Sequence, residues 1–250
     1  MTPKVINYIE QKIRNRWSPE QISNTMLKDC DVKVSHECIY KYIRNNPNSD
    51  LKSYLRINSK RRYRHHVKEK HRLKIPNRIG IEHRPEAVNQ RIEVGHWETD
   101  LVKVNNVFLV VAVERKSLLL RIGFVRTKNS KEVHDELYRI LSPFKDIVHT
   151  ITYDNGPEFA KHESLNILLG CKSYFADPYS SYQRGTIENQ NGLLRQYYSK
   201  KNCSLKVTSD NVQFIEDELS NRPRKTLNWL TPIEYINKHF SDSCTGALGS

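Results

Sequence analysis

Three carboxylates stand where chemistry could be done: Asp100 inside "HWETDLVKV", Asp154 closing "ITYD", and Glu188 within "RGTIENQNG". Asp154 follows a run of strand formers and precedes an Asn-Gly turn, so its side chain falls at the C-terminal edge of a strand. Taken singly, each acid has a plainer reading. Asp154 could cap "GPEFAKH", Glu188 could be a surface helix residue, and Asp100 could pair with a nearby lysine. Taken together they would repel and raise one another's pKa unless a cation sat between them. Hard oxygen ligands with open positions suit two divalent ions, Mg2+ or Mn2+. Two such ions about 4 Å apart can activate a water or 3′-hydroxyl and stabilise the leaving oxygen of a phosphodiester. Glu98 alternates onto the face of Asp100 and Glu158 lies one helical turn from Asp154, so both are expected as auxiliary acids.

The elements needed to bring these acids together can be read from periodicity. "HWETDLVKV", "VFLVVAVERK" and "LLLRIGFVRT" are β-branched runs joined by short steps, which predicts an antiparallel meander. "NSKEVHDELYRILSPF" follows as an amphipathic helix with Val133, Leu137, Ile140 and Leu141 inward, ending at Pro143. A strand "IVHTITYD", a helix through "EFAKHESLNILLG", a strand "KSYFAD" and three more helical stretches complete the pattern. This is the order of an α/β, ribonuclease-H-like fold with a mixed five-stranded sheet. In that topology the first and fourth strands are neighbours, so Asp100 and Asp154 converge across 53 intervening residues. Glu188 falls off the Ile187, Leu194, Tyr198 stripe of its helix and shares a face with Gly192 and Arg195.

Upstream, Ser18, Pro19 and Gln21 make a capping box that opens a helix with Ile22, Met26 and Leu27 as its apolar stripe. Ser35 opens a second helix with Ile39, Tyr42 and Ile43 inward, and Val5, Ile6, Ile9 and Ile13 mark an earlier amphipathic segment. These predict a small all-α helix-turn-helix unit over 1–46 that presents His36, Glu37, Tyr40, Lys41 and Arg44 outward. The same pattern also serves as a scaffold or dimer contact. A basic linker is expected over 47–90, the catalytic domain over 91–242 and a tail over 243–250.

Charge separates the chain into two halves. The net is +13, and residues 1–95 hold 21 Lys and Arg against 10 acids, while residues 96–250 hold 20 against 18. Residues 51–78 carry 11 basic residues and one acid, Glu69, interleaved with tyrosines and histidines. That composition marks a phosphate-backbone ligand, with Lys60, Arg61, Arg62 and Arg64 at its centre. The five cysteines form no C-x-x-C pair, so reduced thiols are expected rather than a disulfide framework or zinc site. No apolar block resembles a signal peptide or a membrane span, which predicts a cytoplasmic protein with no membrane partner; DNA binding through the basic segment would make it nucleoid-associated.

"GHWETDLV", "TYDNGPEFA", "RGTIENQNGLLRQYY" and "NRPRKTLNWLTPIEY" resemble the transposases of the bacterial insertion-sequence-thirty family, of the DDE superfamily. "SPEQIS" and "VSHECIYKYI" resemble that family's second helix-turn-helix. The similarity runs from about Trp17 to Phe240 and includes the family's spacing, 33 residues between Asp154 and Glu188. It implies a DNA transposase in which Asp100, Asp154 and Glu188 are the catalytic, metal-holding triad. Arg184, Asn191, Arg195 and Lys200 then become DNA-facing neighbours. The implied partners are double-stranded DNA, both transposon ends and target, and further copies of the chain in a homodimer or higher oligomer. Family members carry an additional N-terminal helix-turn-helix, and about 17 residues precede the unit here, so weak end-specific recognition is expected of this stretch alone. Two other classes compete: a catalytically silent, transposase-derived DNA-binding protein, and another integrase or nuclease of the same superfold. An intact carboxylate cluster argues against the first, and the absence of a His-His-Cys-Cys pattern argues against a retroviral-type integrase.

The basic segment generates a first prediction. If it neutralises several phosphates, raising salt from about 50 to 200 mM weakens non-specific DNA binding by orders of magnitude, and neutral substitution of Lys60, Arg61, Arg62 and Arg64 flattens the log-log slope. Fluorescence-anisotropy titrations across salt check this; an unchanged slope makes the segment a spacer.

Overall fold

A computed structural model describes residues 1–46, 49–56, 75–178, 180–198 and 206–245. Lys60, Arg61, Arg62, Arg64 and Lys200 lie outside these residues. The chain forms two compact units, one of Met1–Lys68 with Asn221–Ser250, the other of Glu69–Ser220. These boundaries differ from the expected 91–242 and 47–90 divisions at both ends. Residues from Asn221 onward join the N-terminal helices, and the stretch from Ile75 to Gln90 folds with the sheet.

The first unit begins with α1 (Pro3–Arg14), α2 (Pro19–Cys30) and α3 (His36–Asn45). Val5, Ile9 and Ile13 recur at helical spacing and bury against Ile22, Met26, Ile39 and Ile43. Leu27 is an exception to the expected stripe. It is 58% exposed, because it sits one residue, about 100°, round the helix from Met26. Ser18 Oγ accepts the Gln21 N–H at 3.2 Å while Gln21 Oε1 accepts the Ser18 N–H at 2.9 Å, so the capping box forms. Asp31, in the left-handed region at φ 53°, ends α2, and Ser35 Oγ caps α3 by accepting the Cys38 N–H.

In the second unit a short helix, α4 (Glu86–Gln90), precedes β1 (His96–Val104), β2 (Val107–Glu114) and β3 (Leu120–Val125). Next come α5 (Ser130–Leu141), β4 (Thr150–Tyr153), α6 (His162–Leu169), β5 (Lys172–Phe175), α7 (Gly185–Tyr197) and α8 (Ser209–Ser220). The sheet order is β3-β2-β1-β4-β5, antiparallel through β3, β2 and β1 and parallel from β1 to β4 to β5. α5 ends at Leu141, just before Pro143, as expected, and Pro143 does not end helical structure altogether. It starts a 3-10 turn, Ser142–Ile147, where a residue without an N–H is tolerated. One face of the meander packs Val102, Leu109, Val111 and Leu120 against Ile187 and Leu194 of α7 and Ile215 and Leu219 of α8. The outer edge of β5 is covered, since Phe175 N–H donates to Ile79 O at 2.9 Å and Gly80 bridges Phe175 in parallel. That pairing removes a bare strand edge.

The final helix, α9 (Pro232–Thr245), returns to the first unit. Thr231 and Glu234 form a second reciprocal cap, at 2.8 and 3.1 Å. Residues just before it hold α2: Gln21 Nε2 donates to Pro223 O at 2.8 Å, and Lys225 pairs with Glu20 at 2.8 Å. Gln21 therefore serves two structures, the α2 cap and the clasp to the C-terminal segment. Gln21→Ala should destabilise this unit by about 1 to 2 kcal/mol, the net worth of two hydrogen bonds. Urea denaturation of the chain with Trp97→Phe and Trp229→Phe, followed by the fluorescence of the remaining Trp17, measures it; an unchanged midpoint would show that the clasp contributes nothing.

Candidate active site

The parallel register carries Asp100 to Asp154. His96, Trp97 and Glu98 pair with Thr150, Ile151 and Thr152, so Asp100 and Asp154 each lie two residues beyond the same Glu98–Thr152 couple. Period-two alternation puts both on the same side as that couple. Asp154 is held by its own turn, because Oδ1 accepts the Gly156 N–H at 2.9 Å. A Cβ on residue 156 would lie 2.9 Å from that oxygen and 2.6 Å from Glu158 Oε2. Any larger residue here would have to displace the Glu158 and Asp154 carboxylates.

Arg184 stands between the two aspartates, with Nη1 3.7 Å from Asp100 Oδ1 and Nη2 3.9 Å from Asp154 Oδ2. Its Nη1 also donates to Thr99 O at 3.1 Å, which fixes the guanidinium to β1. Asn191 Nδ2 donates to Asp100 Oδ2 at 2.7 Å. Burial pushes the Asp100 carboxyl above the ordinary carboxylate range; the Arg184 cation opposes the rise and nearby Asp154 adds to it.

Glu188 is exposed in the first turn of α7, three residues before Asn191 and so on the same side of the helix. Among the described residues no group of three or more His, Cys, Asp or Glu is gathered closely enough to hold a metal ion. The structure thus brings Asp100 and Asp154 together through Arg184, and places Glu188 on the helix that Asn191 ties to Asp100.

Three expected residues have partners that the sequence did not show. Asn191 is 2% exposed, so it is corrected from a DNA-facing residue to a brace on Asp100. Glu98 is buried, with Oε1 accepting from Arg115 Nη1 at 2.8 Å and Oε2 from the Ile187 N–H at 2.9 Å. Glu158 is buried and pairs with Lys128 Nζ at 3.0 Å. Arg195 is exposed as expected. In the helical unit His36, Glu37, Tyr40, Lys41 and Arg44 are all exposed on α3. Sequence reasoning missed Arg115, whose signal was a charge pair, Glu114-Arg115, closing an otherwise apolar strand. It also missed Arg84, which donates to Thr152 Oγ1 at 3.1 Å and is pushed down to about 10, chiefly by burial and then by the Arg115 charge.

The Asp100 shift has a sign that can be tested. A carboxyl whose folded pKa is raised favours the protonated fold, so its contribution is fully present below the unfolded pKa and is lost as pH rises through the folded value. Asp100→Asn should therefore raise the melting temperature at pH 7 in metal-free buffer, the gain shrinking as the pH falls through the raised value and vanishing below the ordinary aspartate range. Melts of both proteins across pH check this; a destabilised Asn variant at pH 7 would overturn it.

No family model matches the chain. It is 36% identical over 241 residues to the transposase InsI for insertion sequence element IS30A of Escherichia coli (strain K12), covering 91% of this chain and 63% of that protein. The chain thus spans less than two thirds of the length of that relative. It is also 36% identical over 247 residues to the transposase for IS1086 of Cupriavidus metallidurans, covering 93% and 70%. The transposase for IS4351 of Bacteroides fragilis is 36% identical over 238 residues, covering 94% and 73%. The crystal structure of the catalytic core domain of BIV integrase matches with a TM-score of 0.50 at 21% identity, over 60% of this chain and 98% of that one. At that identity the likeness speaks for the fold, a ribonuclease-H-like core. The chain belongs to the IS30 family of insertion-sequence transposases.

Proposed function

We propose that this chain carries the DNA-cleaving and strand-joining chemistry of a DDE transposase, with Asp100, Asp154 and Glu188 as its acids. The observation that supports this reading best is the register that sets Asp100 and Asp154 side by side at the C-terminal end of β4, within reach of one guanidinium. The donor set fits a divalent cation: hard carboxylate oxygens, one of them 23% and the other 37% exposed. Magnesium or manganese held by the three acids would supply stabilisation of the attacking and leaving oxygens of a phosphodiester. The chain's own groups set the stage. Asn191 fixes one oxygen of Asp100 and leaves the other toward Arg184; the Gly156 N–H fixes Asp154. Arg184 offsets one of the two negative charges and offers a fork suited to a DNA phosphate. DNA ends and target are the substrates, in an assembly of more than one copy, in the cytoplasm at the nucleoid. Among the described residues no helix is long and apolar enough to cross a membrane.

Asp100→Asn, Asp154→Asn and Glu188→Gln should each abolish metal-dependent cleavage and joining of labelled ends while DNA binding persists, because each removes a charged ligand at nearly constant size. Magnesium or manganese should support the reaction and calcium should not. Wild-type rates from any one variant would remove that residue from the triad.

The exposed α3 supports a DNA-reading role for the helical unit. His36 and Glu37 lie at its N-terminal end, where base edges are met, and Lys41 and Arg44 lie further along, where phosphate contact is expected. Substituting His36 and Glu37 by alanine should narrow the ratio of end to random DNA binding, whereas Lys41→Ala with Arg44→Ala should weaken both complexes alike. Competition binding at fixed salt decides it, and an unchanged ratio in the first variant makes α3 a scaffold.

A further inference from the structure

We infer that Glu98 is a positioning residue that pins the N-terminus of α7, and hence Glu188, to the strand that carries Asp100. This rests on the proposed triad and concerns how its third member is held. The local reason starts with the helix end. α7 begins at Gly185, and Arg184 at its N-cap offers no side-chain cap. The first N–H groups of a helix have no partner within it and must find one elsewhere. The Ile187 N–H finds the carboxylate of Glu98, at 2.9 Å, across the sheet-to-helix gap. A negative group at this end also meets the positive pole of the helix.

The pin is one of three bonds in step along β1. Glu98 takes the Ile187 N–H, Thr99 O takes Arg184 Nη1, and Asp100 takes Asn191 Nδ2. Thr186 is held too, by Arg91 at 2.8 Å. Glu98 is the member that grips the backbone beside Glu188, and its position is fixed from behind by Arg115 at 2.8 Å. Its side chain is 1% exposed, and each oxygen already has a donor. A carboxylate so engaged would have to break one of these bonds to bind a cation. The buried pair costs desolvation and contributes geometry rather than net stability.

Removing Glu98 alone would leave the buried Arg115 unpaired, so paired substitutions are the test. Glu98→Gln with Arg115→Gln keeps an acceptor for the Ile187 N–H and a mutual hydrogen bond. Glu98→Leu with Arg115→Met keeps volume and charge balance but removes the acceptor. Amide hydrogen exchange should be about tenfold faster or more at Ile187 in the Leu/Met chain, with β2 amides from Leu109 to Val113 unchanged, and near the unsubstituted rate in the Gln/Gln chain. Manganese binding, read by the EPR signal of the free ion, should survive in the Gln/Gln chain. Cleavage by the Leu/Met chain should lose about a hundredfold in kcat with KM for DNA unchanged, as misplacement of a reacting group does. Unchanged Ile187 exchange in the Leu/Met chain would overturn the inference. So would a Gln/Gln chain that loses manganese as fully as Asp100→Asn, which would make Glu98 a ligand. The exchange and manganese measurements need no turnover, so an unsubstituted chain that cleaves nothing would count against the proposed chemistry while these two still decide the pin.

Discussion

The parallel pairing of β1 with β4 is the constraint on which the rest depends. Three residue couples, from His96–Thr150 to Glu98–Thr152, set two distant stretches of chain at the same height. A slip of one residue would turn Asp100 to the opposite face of the sheet and part it from Asp154. Right register has a cost, because two carboxylates of like sign are driven together in a half-buried place. Arg184 offsets that cost from the start of α7, within 4 Å of both acids. Sheet register, helix placement and charge balance are thus one problem with one joint solution.

The same economy of charge continues beneath the site. Glu98 and Arg115 are buried as a pair, and Arg84 is buried against Thr152 with Asn89 as its other partner. At the β3 edge of the sheet Glu216 of α8 accepts the Ile122 N–H and pairs with Arg121, and burial raises its carboxyl despite that cation. Buried charges of this kind tolerate joint replacement far better than loss of one member. They hold helices to strands at set points, which apolar packing, being non-directional, does less sharply. Gln190, on α7 itself, is fully buried with neither amide atom hydrogen-bonded. An unsatisfied polar group in the helix that carries Glu188 is a cost that packing alone does not explain.

Much of this was legible in residue order. β1 starts and ends where the alternation of "HWETDLVKV" begins and ends, and the Ser18 and Ser35 caps open α2 and α3 as their sequences imply. These features are local, set by propensity and periodicity within a few residues. Asp100 and Asp154 could be paired because strand order follows from connectivity rules. What sequence did not disclose were partnerships between remote side chains. The family resemblance implied a DNA-facing Asn191, and only the approach of α7 to β1 turns it onto Asp100. Glu98 was legible as an auxiliary acid but its partner was not, because Arg115, 17 residues away, reaches it only through the β1–β2 register. The domain boundary at Asn221 was hidden for the same reason: "NRPRKTLNWLTPIEY" has an ordinary loop-then-helix pattern whichever unit it joins.

That boundary bears on how the chain folds. α1, α2 and α3 form the compact cluster around Ile9, Ile22, Met26 and Ile39 from contiguous residues, and such low-separation contacts form fast. Yet Glu20, Gln21 and Lys28 find partners in Lys225, Pro223 and Glu234, about two hundred residues later. During N-to-C synthesis those partners arrive only after the whole sheet unit has been made. The helical cluster must then stand by its apolar core alone, with the polar outer side of α2 hydrated, until the C-terminal segment returns. Solvated Glu20 and Lys28 cost little in that interval, whereas an apolar surface there would invite association. A clasp built from charged and amide groups is therefore suited to a unit that must wait for its last part.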